Sequence, residues 1–290
     1  NIFVERALTY VLGYLLEAGG AGVSSGREAS GSLLDSLLTA SEGGRVLAIK
    51  LRADNDFYSQ TSQLSARGLS CTAEALATLP AFLECPVDDD GVVVVAKTGM
   101  GSSAALITSL VGALLSVFGR VRLPCDDSSY HAESLDLTHN LAQACHCVAQ
   151  GKVGSGFDVS AAVYGTHTYT RFSPSVLADA LSACDNQASP ACSSSLPPAN
   201  GHPSQSSTIP TPLQRIAKCV EAKGGWDAER GHLRLPPCFR LLMGDVCGGS
   251  STPSMVRKVL AWRADPSTAA KAKEVWSELA STNSMIAELL

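Results

Sequence analysis

Apolar residues at the start of the chain recur with helical spacing. Ile2, Leu8, Leu12 and Leu15 or Leu16 share a face, and Gly19-Gly20 stops the run. Residues 21–44 are rich in Gly and Ser and predict a loop holding a short helical turn. Arg45–Arg52 alternates apolar and polar and predicts a strand, followed by the polar segment Ala53–Ser59. Val92–Lys97 (VVVVAK) opens with four β-branched residues and predicts a buried strand. Ala104–Phe118 predicts an apolar helix with Gly119 at its C-cap, and Ala132–Gln150 a second long helix. Val159–Tyr164 continues helix-like and Thr166–Phe172 alternates like a strand. Further on, Cys238–Val246 is strand-like, and Met255–Trp262 and Ser267–Leu290 are helical, with Pro266 suited to the first position of the last helix.

Periodicity fails over Ser182–Pro212, which is dominated by Ser and Pro and predicts a flexible insertion or linker. The chain of 290 residues therefore divides into two parts, 1–175 and 213–290, about the segment 176–212. Strands and helices in both parts predict an α/β (α+β) two-domain fold. With 45% apolar and 17% charged residues, the chain can build a core. Its net charge of −5 argues against a nucleic-acid binder or an anionic-membrane binder. The longest apolar runs fall short of the roughly 18 to 20 residues of a membrane span, and residues 1–20 lack a basic leader, so a cytoplasmic protein is expected. Ten cysteines contain no C-x-x-C pair and are expected to be scattered reduced thiols. The chain starts without Met at Asn1 and ends inside a helical pattern, as expected of a fragment.

The sharpest chemical feature is the predicted strand VVVVAK, the run Thr98-Gly99-Met100-Gly101-Ser102-Ser103-Ala104-Ala105, then a helix. Glycines permit a tight turn with bare N–H groups, and the helix start adds unpaired N–H groups and the positive end of its dipole. Such a junction binds phosphate. Ser102 and Ser103 offer hydroxyls to phosphate or Mg2+, and Lys97 a positive charge. The alternative is a tight turn in which one serine only caps the helix. A dinucleotide fingerprint also fits Gly99-x-Gly101-x-x-Ala104, with Asp126 or Asp127 as the acidic partner, but Lys97 and two serines are not what that site needs. A Walker pattern is absent.

A second feature is Gly151-Lys152-Val153-Gly154-Ser155-Gly156-Phe157-Asp158. Its glycines bring Asp158 round a sharp bend, where it either orients or deprotonates a substrate hydroxyl or caps the following helix. A third glycine junction, Met243–Pro253, holds Gly248, Gly249 and Ser250 and is either a second anion site or a capped helix start. Gly22–Gly26 fits a nucleophile elbow but no strand precedes it. The six histidines, His139 and His146 among them, show no ligand spacing, which leaves them a surface or helix-face role.

The strings KTGMGSSAALITSL, HNLAQACHCVAQGKVGSGFDVSAAVYG and LLMGDVCGGSSTPSMVRKVL closely resemble the phosphomevalonate kinase family of fungi and plants, within the GHMP kinase superfamily. ADNDFYSQ and NIFVERALTYVL are similar to earlier segments of that family. The resemblance implies a two-domain GHMP kinase fold, an N-terminal β-α domain and a shortened C-terminal α/β sandwich. It also implies ATP and Mg2+, and transfer of phosphate to (R)-5-phosphomevalonate, giving the diphosphate used for isoprenoid and sterol precursors. It assigns Gly99, Met100, Gly101, Ser102, Ser103 and Ala104 to the ATP phosphates, Ser103 to Mg2+, and Asp158 to catalysis. Lys97 faces the phosphorylated substrate and shares in catalysis, and Ser155, Gly248, Gly249 and Ser250 hold substrate. Two features depart from the family pattern. Cys247 stands where a lysine is expected, and no Asp or Glu lies between Asp136 and Asp158 to serve as a second metal ligand. The family's first Gly-Lys motif is expected before Asn1. Another GHMP kinase acting on mevalonate or homoserine, or an inactive nucleotide-binding relative, are the alternatives. Neither nucleic acid nor membrane is an expected partner.

Overall fold

The computed structural model describes residues 1–20, 47–123, 132–185, 211–221, 225–242 and 252–289. The elements are helices α1 (Ile2–Gly20), α2 (Thr61–Ala66), α3 (Ala73–Ala77), α4 (Ser102–Val117), α5 (Ala132–Gln150) and α6 (Phe157–Tyr164), strand β1 (His167–Thr170), helices α7 (Ser175–Asp185) and α8 (Pro212–Glu221), strand β2 (Glu229–His232), and helices α9 (Thr252–Ala264) and α10 (Ala269–Leu289). They fall into two compact units that interleave along the chain, Asn1–Lys50 with Ser103–His232 and Leu51–Ser102 with Leu233–Leu290. The expected linker 176–212 falls within the first unit's span, and its residues 186–210 lie outside the described ones.

The first unit is built round α5. Apolar and small residues occur on nearly every face of this helix, so it is buried over Leu135, Thr138, His139 and from Leu141 to Cys147. Helix α1 lies against α5 and α8, and α7 packs on α8 and α5. Ala7, Val11 and Tyr14 of α1, Ile107, Val111 and Leu115 of α4, Leu141 and Cys145 of α5, Leu177 of α7 and Ile216 of α8 share one core. Strand β1 pairs antiparallel with β2, His167 opposite His232 and Thr170 opposite Glu229. Three polar groups tie this unit across its helices. Arg120 donates to Tyr14 Oη at 2.6 Å and to Glu221 at 2.8 Å, and Tyr14 donates to the same Glu221 oxygen at 2.8 Å. Burial pushes the Tyr14 hydroxyl up to about 12.

The second unit has little core. Leu64 and Ala272 are its fully buried apolar residues among those described. Its order comes from hydrogen bonds that tie the polar segment expected at 53–59 to residues 80–98. Asp54 caps a 3-10 turn, Asn55–Phe57, by accepting from Asp56 N at 3.0 Å. Asn55 reaches Pro80 O at 2.6 Å and accepts from Leu83 N at 3.0 Å. Thr98 donates through its hydroxyl to Asp56 O at 2.9 Å, and Ser59 N donates to Ala96 O at 2.7 Å. Helix α9 lies against α10, with the Arg263 guanidinium 5.9 Å above the Trp276 ring.

Helices expected from periodicity are present, with ends shifted by a few residues, and a strand is present at 167–170. Asp265 accepts from Ser267 N at 2.8 Å and its carbonyl takes Ala269 N at 2.8 Å, so the expected helix start is shifted, with Pro266 in the turn that precedes α10. Three expected strands are corrected. VVVVAK is not a buried strand, since Val92–Val95 are 45–59% exposed and the segment makes only isolated bridges, Val87 with Val93 and Tyr58 with Lys97. Residues 47–52 form no strand, and Leu47, Ile49 and Leu51 are exposed. Residues 238–242 are irregular with Phe239, Leu241 and Leu242 exposed, and 243–246 lie outside the described residues. Strand propensity measures how well a residue fits against neighbouring strands, and a β-branched run without a continuous ladder makes only isolated bridges. The loop expected at 21–44 also lies outside the described residues.

Cys71, Cys85, Cys145, Cys147, Cys219 and Cys238 are free thiols. No described helix is long and apolar enough to cross a membrane.

His139 is the core's most exacting polar residue. It is fully buried, its ring sits 5.4 Å from Tyr164 and 5.7 Å from Trp226, and its Nδ1 meets Asn140 Oδ1 at 3.1 Å. Burial holds its ring down at about 4 against an ordinary value of 6.5. The unfolded chain therefore binds a proton below pH 6.5 that the folded chain refuses until about pH 4. Stability is full above 6.5 and falls as the pH drops through that window. Urea unfolding at pH 7.5 and pH 5 should show a loss of about 2 kcal/mol attributable to His139, absent in His139→Gln.

Candidate functional site

The loop Gly151–Gly156 leaves α5 and doubles back into α6. Gly156 is its tightest point, with φ +82 at the N-cap of α6. A Cβ there would lie 2.7 Å from Gln143 Oε1, 2.9 Å from Phe172 and 2.9 Å from Tyr169 Oη. Only glycine satisfies both the left-handed backbone and this approach to α5. The loop's carbonyls are tied from beyond α6, since Tyr169 donates to Ser155 O at 3.0 Å and Arg171 to Gly154 O at 3.3 Å.

Asp158 does not cap α6, because Gly156 holds that position. It sits in the first turn, where its Oδ1 accepts from Val159 N at 3.0 Å and the helix N-terminus favours a carboxylate. Its other oxygen, Oδ2, faces the side chain of His146 at 3.9 Å. The same ring nitrogen lies 3.2 Å from Ser103 Oγ, and Gln150 Nε2 approaches it at 3.3 Å. Ser103 therefore spends its hydroxyl on a neighbouring helix. Phe3 of α1 covers the ring with centroids 5.5 Å apart.

His146 is 2% exposed. Burial pushes its ring below the ordinary value and Lys152 adds to the fall, while Asp158 pulls the other way. Although 3.9 Å is within ion-pair reach, desolvation is the larger effect and favours the neutral ring. One helical turn away, Gln143 is fully buried, donates to Cys147 Sγ at 3.1 Å and leaves its Oε1 without a partner. Burial also raises the Cys147 thiol, so it is no nucleophile.

Of the expected site residues, Ser103 and Asp158 meet at His146. Lys97 pairs with Tyr58 in a bridge of the second unit. Gly99 and Gly101 have φ of 81 and 76, the left-handed backbone of a sharp loop, with Met100 exposed between them. Ser102 opens α4, and Ala104 is buried in the core. Ser155 offers its carbonyl to Tyr169. Gly248, Gly249 and Ser250 lie outside the described residues, as do Asp126, Asp127 and Cys247. His146, Gln143 and Gln150 are the residues that sequence reasoning missed. Their signal was a polar stripe at helical spacing along an otherwise apolar helix, directly before the glycine loop.

A cavity of about 650 Å³ lies toward the other end of α5. Tyr14, Arg120 and Glu221 line one part and Asp136, Trp226 and Arg230 another. Its arginines are already paired, Arg120 with Glu221 and Arg230 with Asp136 at 2.9 Å.

Comparison with known proteins gives the site a context. A model of the GHMP kinases N terminal domain matches residues 92–166. The chain is 38% identical over 293 residues to the peroxisomal phosphomevalonate kinase of Arabidopsis thaliana, covering 98% of this chain and 50% of the relative. It is 36% identical over 285 residues to a phosphomevalonate kinase of Aspergillus fumigatus (98% and 47%) and 34% identical over 294 residues to one of Gibberella zeae (99% and 52%). The chain thus spans about half the length of these relatives. No solved structure matches it.

Gly156→Ala should destabilise the protein by about 2 to 5 kcal/mol, the sum of backbone strain and overpacking. Gly101→Ala, where the same backbone meets open space, should cost only about 1 kcal/mol. Urea unfolding of the two variants separates close approach from backbone conformation.

Proposed function

We propose that this chain, a homologue of the phosphomevalonate kinases with a GHMP kinase N-terminal domain, belongs to an ATP-dependent enzyme that converts (R)-5-phosphomevalonate to (R)-5-diphosphomevalonate. The observation that most supports this reading is the meeting of Ser103 and Asp158 at one buried ring, because it joins the serine of one glycine motif to the aspartate of another. The product would feed isoprenoid and sterol precursor synthesis. Cytoplasmic residence goes with this reading, and the peroxisomal name of the plant relative supplies the alternative. The domain division is proposed at 1–175 and 213–290 about the insertion 176–212.

Gly99, Met100, Gly101, Ser102, Ser103 and Ala104 are assigned to the ATP phosphates, received by backbone N–H groups and the start of α4. Mg2+ suits this site by its donor chemistry, since Ser103 Oγ and the Asp158 carboxylate are hard oxygen donors turned to the same ring. No group of three or more His, Cys, Asp or Glu occurs among the described residues, so water and phosphate oxygens would supply the remaining ligands. When bound, Mg2+ neutralises charge on the transferring phosphates. Lys97, Ser155, Gly248, Gly249 and Ser250 are assigned to the phosphorylated substrate.

The acceptor in this reaction is itself a phosphate, with a second pKa of about 6, so it is already ionised near neutral pH. Proton removal is then the smaller task. The larger one is to bring two anions together, which positive charge and oriented N–H groups accomplish. Lys97 and the Gly99–Ser103 amides carry that stabilisation, and Asp158 orients the acceptor and neighbouring cations. An ADP-release assay comparing 5-phosphomevalonate with mevalonate tests the substrate, and turnover of mevalonate alone would overturn the assignment. Lys97→Ala should lower kcat/KM by at least about 100-fold, the cost of one lost electrostatic donor, and as deeply as Asp158→Asn. A near-silent Lys97→Ala beside an inactive Asp158→Asn would mean that proton abstraction by Asp158 outweighs charge stabilisation by Lys97.

A further inference from the structure

One nitrogen in the first unit has three polar neighbours. His146 Nε2 lies 3.2 Å from Ser103 Oγ and 3.3 Å from Gln150 Nε2, with Asp158 Oδ2 at 3.9 Å, beyond hydrogen-bond distance. The Gln150 amide nitrogen has only hydrogens to offer, and its oxygen lies on the Gly154 side of the loop. Nε2 must therefore present its lone pair, which places the proton of the neutral ring on Nδ1. The ring cannot swing away, because Phe3 covers it at 5.5 Å and it is 2% exposed.

That tautomer decides what Ser103 can do. A hydroxyl has one proton and two lone pairs. If Nε2 carried hydrogen, Ser103 would accept from it and keep its own proton for a phosphate oxygen. With the one Nε2 lone pair shared between the Gln150 N–H and the Ser103 O–H, the Ser103 proton turns into the ring, and only oxygen lone pairs remain for a ligand. Lone pairs on a neutral oxygen suit a hard cation and repel a phosphate oxygen. We propose that His146, oriented by Gln150 and Phe3, is a positioning residue that turns the Ser103 hydroxyl into an oxygen ligand for a divalent cation. The inference rests on the proposed kinase reading for the presence of Mg2+ with nucleotide. It adds a group that holds a ligand without binding the ion, a role in which loss of the holding group weakens metal affinity about 10- to 100-fold.

The test reads metal binding and not turnover. Mn2+ serves as the probe, with free Mn2+ followed by electron paramagnetic resonance in the presence of saturating ADP. Ser103→Ala and His146→Ala should each weaken Mn2+ binding by about tenfold or more. The double variant should be no worse than Ser103→Ala alone, because His146 acts through that hydroxyl. ADP affinity without metal should be unchanged in His146→Ala. His146→Gln, whose amide oxygen can accept the same proton, should keep most of the affinity. Additive losses in the double variant would make the role of His146 purely structural, and unchanged Mn2+ affinity in either single variant would equally overturn the proposal. If His146→Ala does not fold, Gln150→Leu takes its place, with a weaker Mn2+ site that depends in the same way on Ser103. Failure of the substrate reading is distinguishable. A protein that passes this cycle but does not phosphorylate 5-phosphomevalonate loses its assigned substrate and keeps the His146 role, whereas an active kinase with additive losses does the reverse.

Discussion

Helix α5 runs through the middle of the first unit with almost no solvent-facing side, yet it carries His139, Gln143 and His146 into that core. A buried polar atom without a partner costs roughly 1 to 3 kcal/mol, so each of these side chains constrains what packs against it. His139 takes Asn140 and the rings of Tyr164 and Trp226. His146 takes Ser103, Gln150 and the face of Phe3. Gln143 takes the Cys147 thiol and the bare backbone of Gly156. The positions of α1, α4 and α6 relative to α5 follow from these demands as much as from the apolar contacts among them.

The same requirement joins stability to chemistry. Gly156 lets the chain press against Gln143, and the pressed loop sets Asp158 in the first turn of α6, where helix dipole and backbone N–H groups favour its charge. Burial favours the neutral form of the His146 ring beside it. Gln143 Oε1, one helical turn away, remains unpaired. Holding a polar group unpaired is costly, and such groups concentrate where function needs a prepared surface.

The second unit shows the opposite economy. Its segments are ordered by hydrogen bonds from Asp54, Asn55 and Thr98, and its valines and leucines remain largely on the surface. The segment entering the Gly99–Gly101 loop is held through Thr98 and Ala96 by the polar residues Asp56 and Ser59. Backbone geometry, more than burial, is what this unit supplies to the loop.

Local chemistry was legible in the sequence. The helical periods of 2–17, 104–118 and 132–150, the stop at Gly119 and the two glycine loops depend on residues a few positions apart, and each appeared where spacing placed it. Motif chemistry also singled out Ser102, Ser103 and Asp158, and the family resemblance assigned Ser103 and Asp158 their roles. Relations across space were not legible. VVVVAK has every residue a strand needs and forms none, because a strand exists only through the ladder a distant segment provides. His146 looked like one more helix-face histidine, since nothing in its neighbours along the chain reveals Ser103 or Phe3. Whether Asp158 capped a helix or faced a ring was likewise undecidable from the order of residues. The close approach of Gly156 to α5 decided it, and packing distance is a property of the folded chain only.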